Sequence, residues 1–392
     1  MKIRYVYFIL IALLFGKFSH SQTMNDFLEM IEKNNTNLKA ARQLEESERL
    51  MAQTGIYPSP LSVEYGYFPD NHTVEDMKQT SSVSQAFQLP GVYKAQNKLA
   101  DSKIELANNR YREQRNDILL RAQKSVIHLI FLKKKEERLQ KRLNNAEEQY
   151  KGLKEKFESG DADVMEVNKS RIHLLTVNKD VRQNMAKIRE TKEELQLLNG
   201  GEELDFVLDA YPVFPQLAMD SVVSEKKEYL PLLKSAEKEK NISERQVQLA
   251  KKQNYPEFKV GYGSETVGNA SFKGIVMGVS IPLWTNKNKL KAARAEKNYQ
   301  DIKLQQLSME ISTETKKEYE EYLSLKESLE EYKKTLDELQ SFELLRKSFE
   351  KGQLSLIDYI RELQFYFDVY DDYLELEKEY YLTLAELYKY RL

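Results

Sequence analysis

The sequence has no cysteine, a single tryptophan and only nine prolines in 392 residues. Without cysteine, neither a disulfide framework nor a thiolate metal site can form. Histidine is scarce too: His20, His72, His128 and His173 are all there are, and they share no ligand spacing. Neither sign of charge is in excess, since 60 basic and 62 acidic side chains interleave to a net −2. A nucleic-acid partner, which would need a segregated basic face, is therefore not expected. Beyond the first residues nothing approaches 18 consecutive apolar positions, so any membrane location would require a β-barrel. No P-loop, dinucleotide-binding glycine pattern or nucleophile elbow occurs. The expectation is a non-enzyme with no cofactor and no resident metal.

What the chain does contain is charge, at 31%, together with Glu, Lys, Leu, Gln and Ala in long stretches. That composition favours long helices and coiled coils. The start differs. Lys2 and Arg4 precede an apolar run from Tyr5 to Phe15, and Ser19 and Ser21 stand at −3 and −1 before Gln22. This layout predicts a secretory signal peptide over residues 1–21.

The remainder reads as two copies of one unit. Lys156-Phe157-Glu158-Ser159-Gly160 matches Ser348-Phe349-Glu350-Lys351-Gly352 at an offset of 192. Tyr57-Pro58 matches Tyr255-Pro256 at an offset of 198, and Val83-Ser84-Gln85-Ala86-Phe87 matches Val279-Ser280-Ile281-Pro282-Leu283 at 196. Three matches in the same order at nearly constant offset indicate duplication. The predicted organisation is a first repeat over 22–198, a linker over 199–221 containing Gly200, Gly201, Pro212 and Pro215, and a second repeat over 222–392.

Each repeat carries a heptad-patterned helical pair. Leu139, Leu143, Ala146, Tyr150, Leu153 and Phe157 step 4-3-4-3-4, and Val167, Leu174, Val181, Ile188 and Leu195 recur every seven residues. In the second copy, Leu325, Leu329, Tyr332, Leu336 and Leu339 are followed, past Gly352, by Leu356, Ile360, Leu363, Phe367, Tyr370 and Leu374. This is the period of a coiled-coil seam. Gly160 and Gly352 interrupt it where the chain must reverse. The proline-free stretch from Val92 to Phe157 would run close to 100 Å as a helix. Shorter helices are expected over about Thr23–Ile56 and about Val222–Asn254.

Strand candidates lie at the other ends of the helices. Val63, Tyr65 and Tyr67 alternate with small or polar residues, as do Phe258, Val260 and Tyr262, and Ile275, Met277, Val279 and Ile281. Ser81–Gln88 is a fourth, weaker candidate. Such alternation suits a membrane barrel or a half-buried soluble sheet equally, but two isolated hairpins would be marginal alone in water. Several chains could pool their strands.

These residues resemble the TolC family of outer-membrane efflux proteins over nearly the whole chain after the leader. The carriers are Tyr57-Pro58, Tyr255-Pro256, Val279-Ser280-Ile281-Pro282-Leu283 and the tip Phe349-Glu350-Lys351-Gly352-Gln353-Leu354-Ser355-Leu356-Ile357-Asp358-Tyr359. The tip is most similar to the heavy-metal-efflux branch. The resemblance implies a mainly α chain with a small β part, assembled as a homotrimer. Each copy would give four strands to one barrel in the outer membrane of a Gram-negative bacterium, with Val63, Tyr65, Tyr67, Phe258, Val260, Tyr262, Ile275, Met277, Val279 and Ile281 facing lipid. The helices would form a duct across the periplasm, and the hairpin tips its entrance, where a periplasmic adaptor and an inner-membrane pump, RND in type, would dock. The cargo would be small molecules or metal cations. Protein secretion through a type I system, or a periplasmic coiled-coil scaffold without a pore, are the alternative readings.

At the entrance the resemblance directs attention to Phe157, Gly160, Asp161, Asp163, Glu166, Phe349, Gly352, Leu354, Asp358 and Arg361. Leu354 stands where TolC has a latching arginine, and Arg361 where the family has an aspartate. In a threefold assembly, inward-facing Glu166 and Asp358 would become rings of like charge that tune ion passage, with Arg361 as counter-charge. Alternatively, both acids favour a helix N-terminus. Phe157 and Phe349 either seal the entrance or end the seam.

Overall fold

The computed structural model describes residues 23–69, 77–204, 209–215, 218–338 and 341–392. The expected leader, with Ser19, Ser21 and His20, lies outside these residues, as do His72 and Leu339. The fold is mainly helical with one small sheet. In chain order it comprises α1 (Met24–Asn34), α2 (Thr36–Ala52), β1 (Ser62–Phe68), β2 (Lys78–Phe87), α3 (Pro90–Ser159) and α4 (Val164–Leu198). Then come α5 (Met219–Tyr229), α6 (Pro231–Lys252), β3 (Glu257–Val267), β4 (Ala270–Ser280), α7 (Lys289–Glu338), α8 (Ser341–Glu350) and α9 (Leu356–Leu387), closed by a 3-10 turn at Lys389–Arg391.

Helix α3 is the spine. Its 70 residues extend for about 105 Å. Pro90 opens it, where a missing N–H costs nothing, and Gly160 closes it at φ 85 in the left-handed region. On the strand side, the layer runs α2–α3–α6–α7. Helix α2 leads into β1, α3 continues β2, α6 leads into β3 and α7 continues β4. The helices therefore hold the same lateral order as the four antiparallel strands, β1-β2-β3-β4. On the other side the order is α4–α3–α9–α7, so two helical hairpins lie side by side.

Both short helices that the sequence predicts are in fact broken. Thr23–Ile56 divides into α1 and α2 at Asn35, which ends one helix and caps the next. Its side chain accepts from Leu38 N–H at 3.0 Å and donates to Leu198 O at 2.7 Å. The Val222–Asn254 expectation divides into α5 and α6 at Leu230–Pro231. Proline forces its predecessor out of the helical region, and Leu230 sits at ψ 118. Helix α5 also starts at Met219, inside the stretch read as linker. The strands differ in extent: β2 starts at Lys78 rather than Ser81, β3 reaches Val267, and β4 ends at Ser280, leaving Ile281 just beyond it.

The seams keep the heptad period but use residues that a hydrophobic pattern misses. On α4 the row Ser170, Val177, Asn184, Thr191 and Leu198 is buried; of the expected row, Ile188 and Leu195 are buried and Val167, Leu174 and Val181 half-buried. Asn184 is tolerated because its amide donates to Leu132 O at 3.0 Å. On α3, Leu139, Ala146 and Leu153 are buried as expected, together with Arg142 and Gln149, while Phe157 is 45% exposed.

Midway along the molecule Leu204, Tyr211 and Phe214 of the linker pack against the helices. Phe27, Leu28 and Ile31 pack on Leu119, Ala122, Val126 and Leu195 in one cluster. A second cluster joins Val222 and Leu230 to Tyr322, Leu384, Leu387, Tyr388 and Tyr390. Lys226 is driven into this second core, its side chain only 3% exposed, and pairs with Glu318 of α7. Burial pushes the Lys226 ammonium down, and Glu318 offsets part of that shift. Removing one partner strands a charge in a dry site, which is strongly destabilising. Lys226→Met is expected to lower stability by about 3–5 kcal/mol, and Lys226→Met/Glu318→Leu by clearly less. Thermal unfolding of the purified variants checks this; equal losses in the two would show that the charge is not the cause.

Candidate functional site: the open sheet and the two hairpin turns

The sheet has two chemically distinct faces. Register aligns Val63, Val83, Tyr262 and Ile275 in one row, Gln85, Val260 and Met277 in the next, and Phe87, Phe258 and Val279 in a third. Tyr65 and Tyr67 continue that face toward the far end of β1. Its apolar residues stand in the open: Val63 is 72% exposed, Ile275 70% and Met277 78%. Ile281, 60% exposed, follows directly. The opposite face carries Ser62, Glu64, Ser82, Ser84, Gly261, Gly263, Gly274 and Gly278, with Val276, Phe272 and Phe68 as its apolar members. Ion pairs span it, Lys78–Glu265 at 2.8 Å and Lys259–Glu64 at 3.8 Å. Gly261 is fixed by close approach: a Cβ there would lie 2.6 Å from Val83 O.

Among the described residues, no helix packs across this sheet to any extent, and neither β1 nor β4 has a second strand partner. An exposed apolar face with two bare edges is a template for pairing with another chain. Tyr57, Tyr255 and Trp284 are exposed at the end nearest the helices, and Tyr65 and Tyr67 toward the far end, while Phe68 stands on the polar face. Aromatic girdles on both sides of an apolar band characterise barrels in lipid.

Below the sheet, one face of the helical layer is crossed by a chain of ion pairs. Arg110 of α3 reaches Glu48 of α2 at 3.8 Å and Glu239 of α6 at 3.3 Å, and Lys303 of α7 meets Glu239 at 2.8 Å. The outermost helices, α2 and α7, expose Leu44 and Met51, and Tyr299, Ile302 and Met309. Leu44 and Met51, like Ile302 and Met309, are seven residues apart, the spacing of a seam awaiting a partner.

The two hairpin turns lie at the opposite end of the helices. Gly160 and Gly352 both take positive φ, 85 and 70. In the first turn Ser159 Oγ donates to Asp161 at 3.0 Å, and Glu166 accepts from the backbone N–H of Asp163 at 3.2 Å. In the second, Ser355 caps α9 by accepting from Asp358 N–H at 3.2 Å, donates to the Asp358 carboxylate at 2.6 Å, and Arg361 pairs with the same carboxylate. Glu166 and Asp358 thus occupy equivalent positions, the third of each returning helix. Both serve the helix start; Glu166 uses one carboxylate oxygen for it, whereas Asp358 has Ser355 on one oxygen and Arg361 on the other. Leu354 is half-buried between Gly352 and the cap. Among the described residues, no hydrogen bond or ion pair joins one turn to the other.

Phe349 has a ring partner. It stacks on Tyr359 with ring centroids 4.5 Å apart and planes 10° from parallel. Tyr359 is buried against Asn145 and Gln149 of α3, and burial pushes its phenol up. This residue, which ties the second turn to the first hairpin, was missed by sequence reasoning. Its position three residues past Leu356 was the available signal. Among the described residues, no group of three or more His, Cys, Asp or Glu side chains could hold a metal ion, and no helix is long and apolar enough to cross a membrane.

No protein-family model matches the chain, and no curated protein sequence does. Solved structures do. The channel protein CusC superposes with a TM-score of 0.77 at 15% identity, covering 94% of this chain and 91% of its own. The outer-membrane protein VceC of Vibrio cholerae gives 0.78 at 13%, covering 94% and 95%. The CmeC outer-membrane channel of Campylobacter jejuni gives 0.71 at 16%, covering 94% and 85%. The chain has the TolC-type fold that the sequence resemblance implies.

The caps at the turns are testable. Ser355→Ala should weaken the start of α9 by about 1 kcal/mol, roughly a fivefold faster amide exchange across its first turn. Glu166→Ala should act likewise on α4. Exchange rates unchanged in both would show that the turns are held by packing alone.

Proposed function

We propose that this chain is a TolC-family subunit of an outer-membrane efflux channel, three copies of which form one passive duct. The observation that carries the reading is the open two-faced sheet continued, strand for helix, by a layer with exposed apolar residues on its outermost helices. Copies placed edge to edge satisfy both levels at once. β4 of one would pair with β1 of the next, and α7 would pack on α2. Closure puts the apolar face outward and the Ser/Gly face inward, which is the polarity of a barrel in lipid. Twelve strands from three copies fall within the range of known outer-membrane barrels. A coiled-coil scaffold of the periplasm would have no use for such a sheet.

The helical part, about 100 Å long, would then project into the periplasm. Its hairpin turns would meet a periplasmic adaptor and an inner-membrane pump, for which the RND type and a cargo of small molecules or metal cations are the favoured assignment. Energy would come from the pump. At the entrance, Asp358 and Glu166 would each form a ring of three acids, their helix-capping role fixing where the carboxylates stand.

Purification from outer-membrane fractions followed by planar-bilayer recording tests the duct. A conducting, cation-preferring pore is expected. A soluble periplasmic protein without pore activity would contradict it. Within a working pore, Asp358→Ala and Glu166→Ala should each reduce cation preference or raise closed-state leak; no change in either would remove the acids from gating while leaving the duct intact.

A further inference from the structure

Between the two hairpins, α3, α8 and α9 enclose a cavity of about 450 Å³. Four cationic side chains line it, Arg138, Lys141 and Arg142 from α3 and Arg346 from α8, against one acid, Glu148. The α9 wall is aromatic, with Tyr366, Phe367 and Tyr370. Arg142 is the buried member, 9% exposed. One of its Nη atoms donates to Phe367 O at 3.0 Å and lies 2.8 Å from Asp371, and its guanidinium covers the Phe367 ring at 4.3 Å. Its Nε is shut off from solvent and has no hydrogen-bond partner among the described residues. The Asp371 Oδ1 beside this guanidinium is likewise shut off without a hydrogen-bond partner among the described residues, so the ion pair does not take up the Nε–H, and a bound acceptor would.

The surrounding charge has the same sign. Arg138 stacks on Tyr370 at 3.5 Å and has no acidic partner among the described residues, and neither does Lys141. Arg346 pairs with Glu350 at 3.3 Å but is half exposed at the rim. Arg138 gives one Nη to the Tyr370 hydroxyl and Arg142 one to Phe367 O, which leaves their remaining N–H groups for bonds to a carboxylate. The volume suits a small organic molecule rather than a bare ion, and the lining combines apolar walls with a few convergent donors.

We propose that this cleft binds a small aromatic carboxylate, its anionic head among Arg138, Arg142 and Arg346 and its ring along the aromatic wall of α9. An occupant would touch α3, α8 and α9 together and so tie the first hairpin to the second. The site stands within one chain and does not depend on the duct reading.

Isothermal titration of the full-length, detergent-solubilised protein with 1-naphthoate tests it, with 1-naphthylmethylammonium as the cationic counterpart. Saturable binding of one naphthoate per chain is expected, with the ammonium not bound. Arg138→Gln and Arg346→Gln should each weaken naphthoate about tenfold, the loss of one charge-assisted bond. Both leave the buried Arg142–Asp371 pair in place, and Lys179→Gln, remote on α4, should leave affinity unchanged. No binding at millimolar naphthoate, equal binding of both probes, or undiminished affinity in Arg138→Gln and Arg346→Gln would overturn the proposal.

Discussion

Backbone groups at a sheet edge must be paired, and an apolar sheet face must be covered. Everything above the middle of this molecule depends on how those two demands are met. A four-stranded sheet with bare β1 and β4, and with Val63, Ile275 and Met277 in the open, meets neither within one chain. Lipid covers an apolar face, and only closure removes an edge. The helices repeat the condition. Because α2, α3, α6 and α7 extend the four strands in order, whatever closes the sheet brings α7 against α2 as well. The ion-pair chain from Glu48 through Arg110 and Glu239 to Lys303 crosses that layer on one face.

Away from the sheet, stability comes from long seams and a dense middle. Helices of 70 and 50 residues cannot be held by propensity alone. Continuous packing along the seams is required, and two clusters at mid-length, one around Phe27 and Leu119 and one around Tyr322 and Leu387, fix the register. Toward the turns the second hairpin is held differently. Phe349 stacks on Tyr359, and Tyr359 leans on α3, so aromatic contact positions the second turn together with the buried Leu356 and Leu363.

Long-range regularity was the legible part of the sequence. Heptads, glycine turns and alternating strands each repeat a simple period, so the hairpins, the four strands and Gly160 and Gly352 could be read directly. Local exceptions were not legible. Asn35 breaks a helix because its side chain finds Leu198 O, a partner 163 positions away that no local pattern announces. Pro231 was legible in principle, since its effect on Leu230 is local, yet the surrounding helical pattern masked it. Polar seam residues such as Ser170, Asn184 and Arg142 escape any search for apolar periodicity, because each is buried by a hydrogen bond rather than by hydrophobicity. At the turns, the residue types of Glu166 and Asp358 were visible, but their capping geometry emerged only with the backbone.

The central claim is that separate copies complete one ring through β1 and β4. The chain has no native cysteine, so pairs of introduced cysteines report cleanly. With Val63→Cys on β1, cysteine is placed in turn at Ile275, Met277 and Val279 on β4, and the protein is oxidised in intact outer membranes. The account predicts covalent species that stop at three chains, formed strongly by one β4 position and weakly by its neighbours. Monomers alone at every position, or a ladder that continues past three, would contradict it.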